Sequence, residues 1–240
     1  MKMAARRIVV LGGSGFVGSA LVARLAAQGD TVVVPVRRRA PARHLILLPT
    51  VDVVEADVHD PATLAALVRG ADAVVNLVGI LNESGRTTFE RVHADLTRGA
   101  VDACRAGGVR RLLHMSALNA DPAGTSCYLR SKGEAEAAVV ASGLAWTIFR
   151  PSVIFGAGDS FLTLFARLAR ALPVIALAAP DARFQPVHVG DVVTAFARSL
   201  DLPSTEGRRF DLCGPTGYTL RELVRFAAET SGAVRARPPL

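Results

Sequence analysis

The chain holds two tyrosines and two lysines in 240 residues, and one of each stands four apart in Tyr128-Leu129-Arg130-Ser131-Lys132. Random placement gives that spacing about two times in a hundred. On a helix, residues four apart lie one above the other on the same face. An ammonium beside a phenol favours the phenolate, lowers the phenol's pKa and lets the pair exchange a proton near neutral pH. All the other basic residues but Lys2 are arginines, so a lysine here suggests a task a guanidinium cannot perform. Ser116 closes an apolar run of strand length, where its hydroxyl can hold a substrate carbonyl for the same proton transfer. The bland alternatives are a surface aromatic at 128 and a capping or turn serine at 116. The presence of all three in one order favours Ser116, Tyr128 and Lys132 as a catalytic set.

A second group of residues has a different task. Gly12-Gly13-Ser14-Gly15-Phe16-Val17-Gly18 fits G-x-G-x-x-G from Gly13 and G-x-x-G-x-x-G from Gly12, between an apolar run and a helical stretch. Such a loop makes a tight turn, brings backbone close to a pyrophosphate and aims a helix N-terminus at its negative charge. Dinucleotide binding is therefore expected. An NAD site usually offers a carboxylate at the end of the second strand, about 20 residues on. This chain offers Val36-Arg37-Arg38-Arg39, and Arg37 and Arg38 suit the extra phosphate of NADP(H), with NAD(H) the second choice. Asp57 and Val58 are expected beside the adenine, and Leu77, Val78 and Gly79 near the cofactor at the end of the fourth strand.

The elements that must position these residues follow a regular rhythm. Nearly continuous β-branched runs at 8–11, 31–36, 51–55, 73–78, 111–115 and 146–149 read as buried strands. Helical stretches at 16–28, 61–68, 89–106 and 131–141 lie between them, with Asp60-Pro61 as a helix start and Gly29, Gly70, Gly107 and Gly143 as stops. Six βα units in series imply an α/β fold, a doubly wound parallel sheet over residues 1–151. Past Arg150-Pro151 the rhythm changes. Helices near 161–171, 189–200 and 220–230 and strands near 185–187 and 209–212 suggest a small substrate or docking lobe over residues 152–240. The chain stops at Pro238-Pro239-Leu240 soon after a helix, so that lobe is expected to be incomplete.

Composition narrows the partners. Half the residues are hydrophobic and 20% charged, which excludes a disordered chain. Cys104, Cys127 and Cys213 are far apart, odd in number and form no CxxC pair, so a reducing compartment and no disulfide framework are expected. The five histidines show no metal-ligand spacing, and no metal site is read. A net charge of +7 favours anionic partners, or reflects nothing more than an arginine-rich composition. The arginines are scattered and aromatics are 5%, which argues against nucleic acid. Residues 1–27 mimic a signal peptide until the glycines interrupt them, and no run reaches the roughly 18 apolar residues of a membrane span. A cytoplasmic protein is expected.

The glycine loop, Ser116, Tyr128-x-x-x-Lys132 and Arg150-Pro151-Ser152-Val153 together resemble the short-chain dehydrogenase/reductase superfamily, in its extended or atypical, epimerase/dehydratase-like branch. Val78-Gly79-Ile80-Leu81-Asn82-Glu83, His114-Met115-Ser116-Ala117-Leu118 and Phe184-Gln185-Pro186-Val187-His188-Val189-Gly190-Asp191-Val192 carry a closer likeness to the group containing the accessory subunit of respiratory complex I and its bacterial relatives. The resemblance implies that Tyr128 is the general acid/base, that Lys132 binds the nicotinamide ribose, that Ser116 orients substrate, and that Arg150, Pro151, Ser152 and Val153 lie under the nicotinamide. It also implies hydride transfer to or from a carbonyl or alcohol substrate, with a quinone- or isoprenoid-linked one as a candidate. The alternative it implies is a non-catalytic NADPH-binding accessory protein of a respiratory complex, peripheral on the inner face of a membrane. One departure stands out. Many extended members carry asparagine where His93 stands, so His93 is either a proton shuttle or a simply hydrogen-bonded residue. Phe155, Phe161, Phe165, Phe184 and His188 are candidates for a substrate pocket or for ordinary core.

Overall fold

Ile8, Val9, Val10 and Leu11 are all fully buried, and alternate residues belong to different cores. Ile8 and Val10 join one apolar cluster, Val9 and Leu11 the other. A strand apolar on both faces needs helices on both faces of its sheet, and the computed structural model shows that arrangement. It describes residues 5–172 and 174–232. Pro238-Pro239-Leu240, on which the expectation of an incomplete lobe rests, lies outside them.

In chain order the elements are β1 (Arg7–Leu11), α1 (Phe16–Gln28), β2 (Thr31–Val36), a short α2 (Arg43–Ile46), β3 (Val51–Glu55), α3 (Pro61–Val68), β4 (Ala73–Asn76), α4 (Leu96–Gly107), β5 (Arg111–Met115), α5 (Cys127–Val140) and β6 (Ala145–Pro151). They continue with β7 (Ile154–Phe155), α6 (Phe161–Ala171), β8 (Arg183–Phe184), β9 (Val187–His188), α7 (Val189–Ser199), β10 (Arg208–Leu212), β11 (Tyr218–Thr219) and α8 (Leu220–Thr230). Seven strands form one sheet in the order β10-β6-β5-β4-β1-β2-β3. Every pairing in it is parallel. The order reverses between β1 and β4, and the crevice at such a switch point is where these sheets bind ligands. The doubly wound α/β class expected from the sequence is the one observed.

Several boundaries differ for physical reasons. β4 stops at Asn76 because the Asn76 carboxamide oxygen accepts the Val78 N–H (3.1 Å) and turns the chain. A π-helical segment, Glu90–Asp95, precedes α4. α5 begins at Cys127, four residues before expectation, because the Ser126 hydroxyl caps it by accepting the Leu129 N–H. Several of the described residues after 151 pack with the main sheet. β10 pairs with β6 through five residue pairs, and Val192, Val193 and Phe196 of α7 belong to the same core cluster as β1 and β2. What stands beside the sheet is smaller: α6, α8 and the short pairs β7–β9 and β8–β11.

Candidate active site and cofactor cleft

The chain turns sharply after β1. Gly12 adopts a left-handed φ of 78°, and a β-carbon there would sit 3.0 Å from the Val78 backbone nitrogen. A β-carbon on Gly18 would lie 2.2 Å from the Gly12 carbonyl oxygen, so only glycine lets α1 approach the loop. Gly15 stands at the N-cap of α1 without a side-chain hydrogen bond, which leaves the first-turn N–H groups of a 13-residue helix to a ligand. A cleft of about 780 Å³ opens over this turn, lined by Gly12, Ser14, Gly15, Arg37, Asp57, Val58, Leu77, Val78 and Gly79. Those nine sequence-predicted residues therefore come together. Gly13, Phe16, Val17 and Gly18 stand behind them: Val17 and Gly18 are buried in α1, Phe16 packs on the core, and a β-carbon on Gly13 would press on Val34 at 2.8 Å. Arg38 is exposed and does not line the cleft, because successive residues leaving β2 point to opposite sides.

A second cavity of about 860 Å³ adjoins the first and shares Leu77, Gly79 and Ile80 with it. Ser116, Tyr128, Lys132, Pro151, Ser152 and Val153 line it, with Phe161 and Phe184 from the region beside the sheet. Phe155, Phe165 and His188 line neither cavity. Arg150 does not line them either. Its guanidinium makes two bonds to the buried Glu136 carboxylate, at 2.8 and 2.6 Å, and Arg209 adds a third at 3.1 Å. Alternation along β6 sends Arg150 toward α5, so its role is to hold that helix to the sheet.

Ser116 is 3% exposed and its hydroxyl has no hydrogen-bond partner among the described residues. A buried hydroxyl without a partner costs free energy unless a ligand supplies one. Lys132 is equally buried, and its ammonium donates to the Met115 carbonyl at 3.2 Å. Burial lowers its pKa to about 8 against the raising effect of Glu136. A β-carbon at Gly79 would stand 3.1 Å from that ammonium, so Gly79 leaves Lys132 open to the junction of the two cavities. Burial pushes the Tyr128 phenol up rather than down. The expectation that Lys132 lowers it is corrected in this arrangement, where desolvation dominates and the ammonium turns to Met115.

His93 is not a proton shuttle. Its Nε2 accepts the Ile80 N–H at 3.1 Å, so the ring proton lies on Nδ1 and faces the Ser131 hydroxyl at 2.9 Å. Ser131 in turn donates to the Tyr128 carbonyl at 2.9 Å. Burial, then the charge of Lys132, hold the imidazole at about 3, neutral at any working pH. The ring stacks on Phe89 and meets Tyr128 edge-on, both with centroids 5.5 Å away. His93 thus fastens the Ile80 loop to α5 and walls Tyr128.

Among the cleft residues that escaped the sequence reading are His59, Arg86 and Arg91. The last two look like any other arginine in an arginine-rich chain.

A family described as NAD(P)H-binding matches residues 12–159. The chain belongs to that family. It is an extended short-chain dehydrogenase/reductase related to the complex I accessory subunit. It is 34% identical over 223 residues to the mitochondrial NADH dehydrogenase (ubiquinone) 1 alpha subcomplex subunit 9 of Mus musculus, covering 90% of this chain and 59% of that protein. It is also 34% identical to a ceramide reductase of Caulobacter vibrioides, covering 94% of this chain and 71% of that one. The chain thus spans about three-fifths of the length of the complex I subunits it matches. Among solved structures, a dTDP-glucose 4,6-dehydratase from Streptomyces venezuelae with NAD bound superposes with a TM-score of 0.81 at 23% identity, over 95% of this chain and 82% of that one. That likeness is one of fold. The glycine cradle, the uncapped α1 N-terminus and the unpartnered Ser116 hydroxyl fit a nicotinamide dinucleotide with a substrate beside it.

Proposed function

We propose that this protein is an NADP(H)-dependent oxidoreductase that moves hydride to or from the carbonyl or alcohol carbon of an apolar substrate, with Tyr128 as the proton donor and acceptor. The observation that carries this reading is the buried, unpartnered Ser116 hydroxyl in one cavity with Tyr128 and Lys132. That cavity joins the glycine-loop cleft at Leu77, Gly79 and Ile80. When bound, the cofactor supplies the hydride. The chain supplies the rest: Ser116 donates to the substrate oxygen, Tyr128 gives or takes the proton there, and Lys132 holds the nicotinamide ribose. Gly12, Ser14 and Gly15 hold the pyrophosphate, Asp57 and Val58 flank the adenine, and Pro151, Ser152 and Val153 lie under the nicotinamide. Arg37, standing at the end of β2 where an NAD site usually carries a carboxylate, supports NADP(H) over NAD(H).

Met115, Leu118, Val153, Ile154, Phe161 and Phe184 give the second cavity mainly apolar walls, which suits a quinone- or isoprenoid-linked carbonyl. The ceramide reductase relative points the same way, toward a lipid-borne substrate. A second reading, in which bound NADPH holds a docking surface of a respiratory complex together, is favoured by the complex I relatives. Substrate-dependent oxidation of NADPH, screened over quinones and long-chain ketones with wild type and Tyr128→Phe, separates the two. Turnover in wild type, with at least a hundredfold loss in Tyr128→Phe at unchanged NADPH affinity, is expected from a general acid worth about 10²–10⁴. Full activity in Tyr128→Phe would contradict the proton-transfer role.

A further inference from the structure

Most of the well-placed arginines in this protein are spoken for. Arg6 bonds Asp30, Arg98 bonds Asp95, Arg105 and Arg111 bond backbone carbonyls, and Arg150 and Arg209 share Glu136. Arg37, Arg86 and Arg91 differ. All three line the dinucleotide cleft, all are exposed, and none of their guanidiniums bonds or pairs with a described residue. Arg37 leaves the end of β2, whereas Arg86 and Arg91 belong to the segment after β4, on the far side of β1 in the sheet order. Arg86 stands at the tip of a turn closed by the Ser84–Thr87 bridge, beside Gly85 at φ 55°. Arg91 lies in the π-helical segment that buries Val92, His93 and Ala94 and leaves Arg91 facing the cleft. Such π turns commonly re-aim side chains at functional sites.

His59 lines the same cleft, and its pKa is lowered by burial first and then by the charge of Arg91, with Asp57 acting the other way and Arg37 lowering it further. The carboxylates of Glu55 and Asp57 also line the cleft, and Asp57 is already occupied by the His59 N–H at 2.9 Å. Three guanidiniums against two carboxylates leave one positive charge in excess before any ligand enters.

We infer that Arg91, reaching across from the segment after β4, clamps the adenosine 2′-phosphate of the cofactor against Arg37, with Arg86 closing over it from the Ser84–Thr87 turn. This rests on the NADP(H) reading above and deepens it: selectivity comes from two walls of the cleft rather than from the end of β2 alone. A planar guanidinium on each side of a phosphate makes charge-assisted, bidentate contacts that a lysine or a single arginine cannot reproduce.

The test uses fragments that isolate the phosphate: adenosine 2′,5′-bisphosphate and adenosine 5′-monophosphate, titrated calorimetrically into wild type, Arg91→Gln, Arg91→Lys and Arg37→Gln. Arg91 is exposed, so these changes leave the core intact, which circular dichroism verifies. The clamp predicts that Arg91→Gln weakens the bisphosphate about tenfold or more while the monophosphate moves less than about twofold, a loss of the size expected for charge-assisted bonds. Arg91→Lys should recover part of it. Equal weakening of both fragments would place Arg91 on a group they share, the adenine or the 5′-phosphate, and overturn the clamp, as would no change in either. If wild type binds both fragments equally, the NADP(H) reading itself fails. A wild type that prefers the bisphosphate and an Arg91→Gln that keeps that preference would overturn only the clamp.

Discussion

Lys132 carries a charge into a place that resists it. Its folded pKa of about 8 lies below the ordinary 10.5. Between those values the unfolded chain binds more protons than the folded one, so stability rises with pH across that window, and the full cost is present below about 8. Replacing Lys132 with methionine removes the titration. Urea unfolding from pH 7 to 10.5 should then show the wild type gaining on Lys132→Met only above about 8. A difference that stays flat with pH would contradict the buried ammonium. Ser116→Ala should lower kcat by about a hundredfold, as removal of one preorganised donor does, while the nucleotide Kd stays put. An equal loss of nucleotide affinity would place Ser116 in cofactor binding instead. At this scale rarity made residues legible: one tyrosine and one lysine at helical spacing stand out against a background of arginine. Arg86 and Arg91 vanish into that background, and the resemblance that sets Arg150 under the nicotinamide gives no sign of which face of β6 its side chain takes. His93 shows the same gap, since its tautomer and orientation are fixed by Ile80 and Ser131 and its lowered pKa by burial and Lys132, none of which is adjacent to it in sequence.

The βα rhythm was readable because the inner strands are buried on both faces and each helix follows at short range. The position of β10 was not readable, because it pairs with β6 some sixty residues earlier and no local pattern encodes that partner. The same holds for α7, whose apolar face looks alike whether it covers a lobe or the main sheet. Phe196 is fully buried, with its ring centroid 4.3 Å from that of Phe149 on β6. Phe196→Ala should therefore cost about 3–5 kcal/mol and lower the midpoint of one cooperative transition that includes the nucleotide-binding half. A separate early transition, with the glycine-loop half unfolding at its usual midpoint, would mean that α7 belongs to an independent lobe. Capping explains the other shift. Ser126 starts α5 four residues before the apolar pattern does, which places Tyr128 in the first turn and Lys132 one turn below it.

Over the whole molecule two cavities adjoin, and the proposed function divides the work between them: the cleft above the glycine loop for the dinucleotide, and the mainly apolar one, lined by Ser116 and Tyr128, for the substrate. The net charge of +7 is not spread evenly in effect, because paired arginines hold elements together while Arg37, Arg86 and Arg91 face the cleft unpaired. No helix among the described residues is long and apolar enough to cross a membrane. Whether the dinucleotide exchanges decides between a working oxidoreductase and a cofactor-held scaffold. The direct measurement is to denature freshly purified protein and quantify the nucleotide released, with its phosphate and redox state, alongside titration of the native protein with NADPH. An exchanging enzyme releases well under one equivalent and binds added NADPH reversibly. Near-stoichiometric NADPH that does not exchange with added nucleotide would contradict turnover and assign the cofactor a structural role.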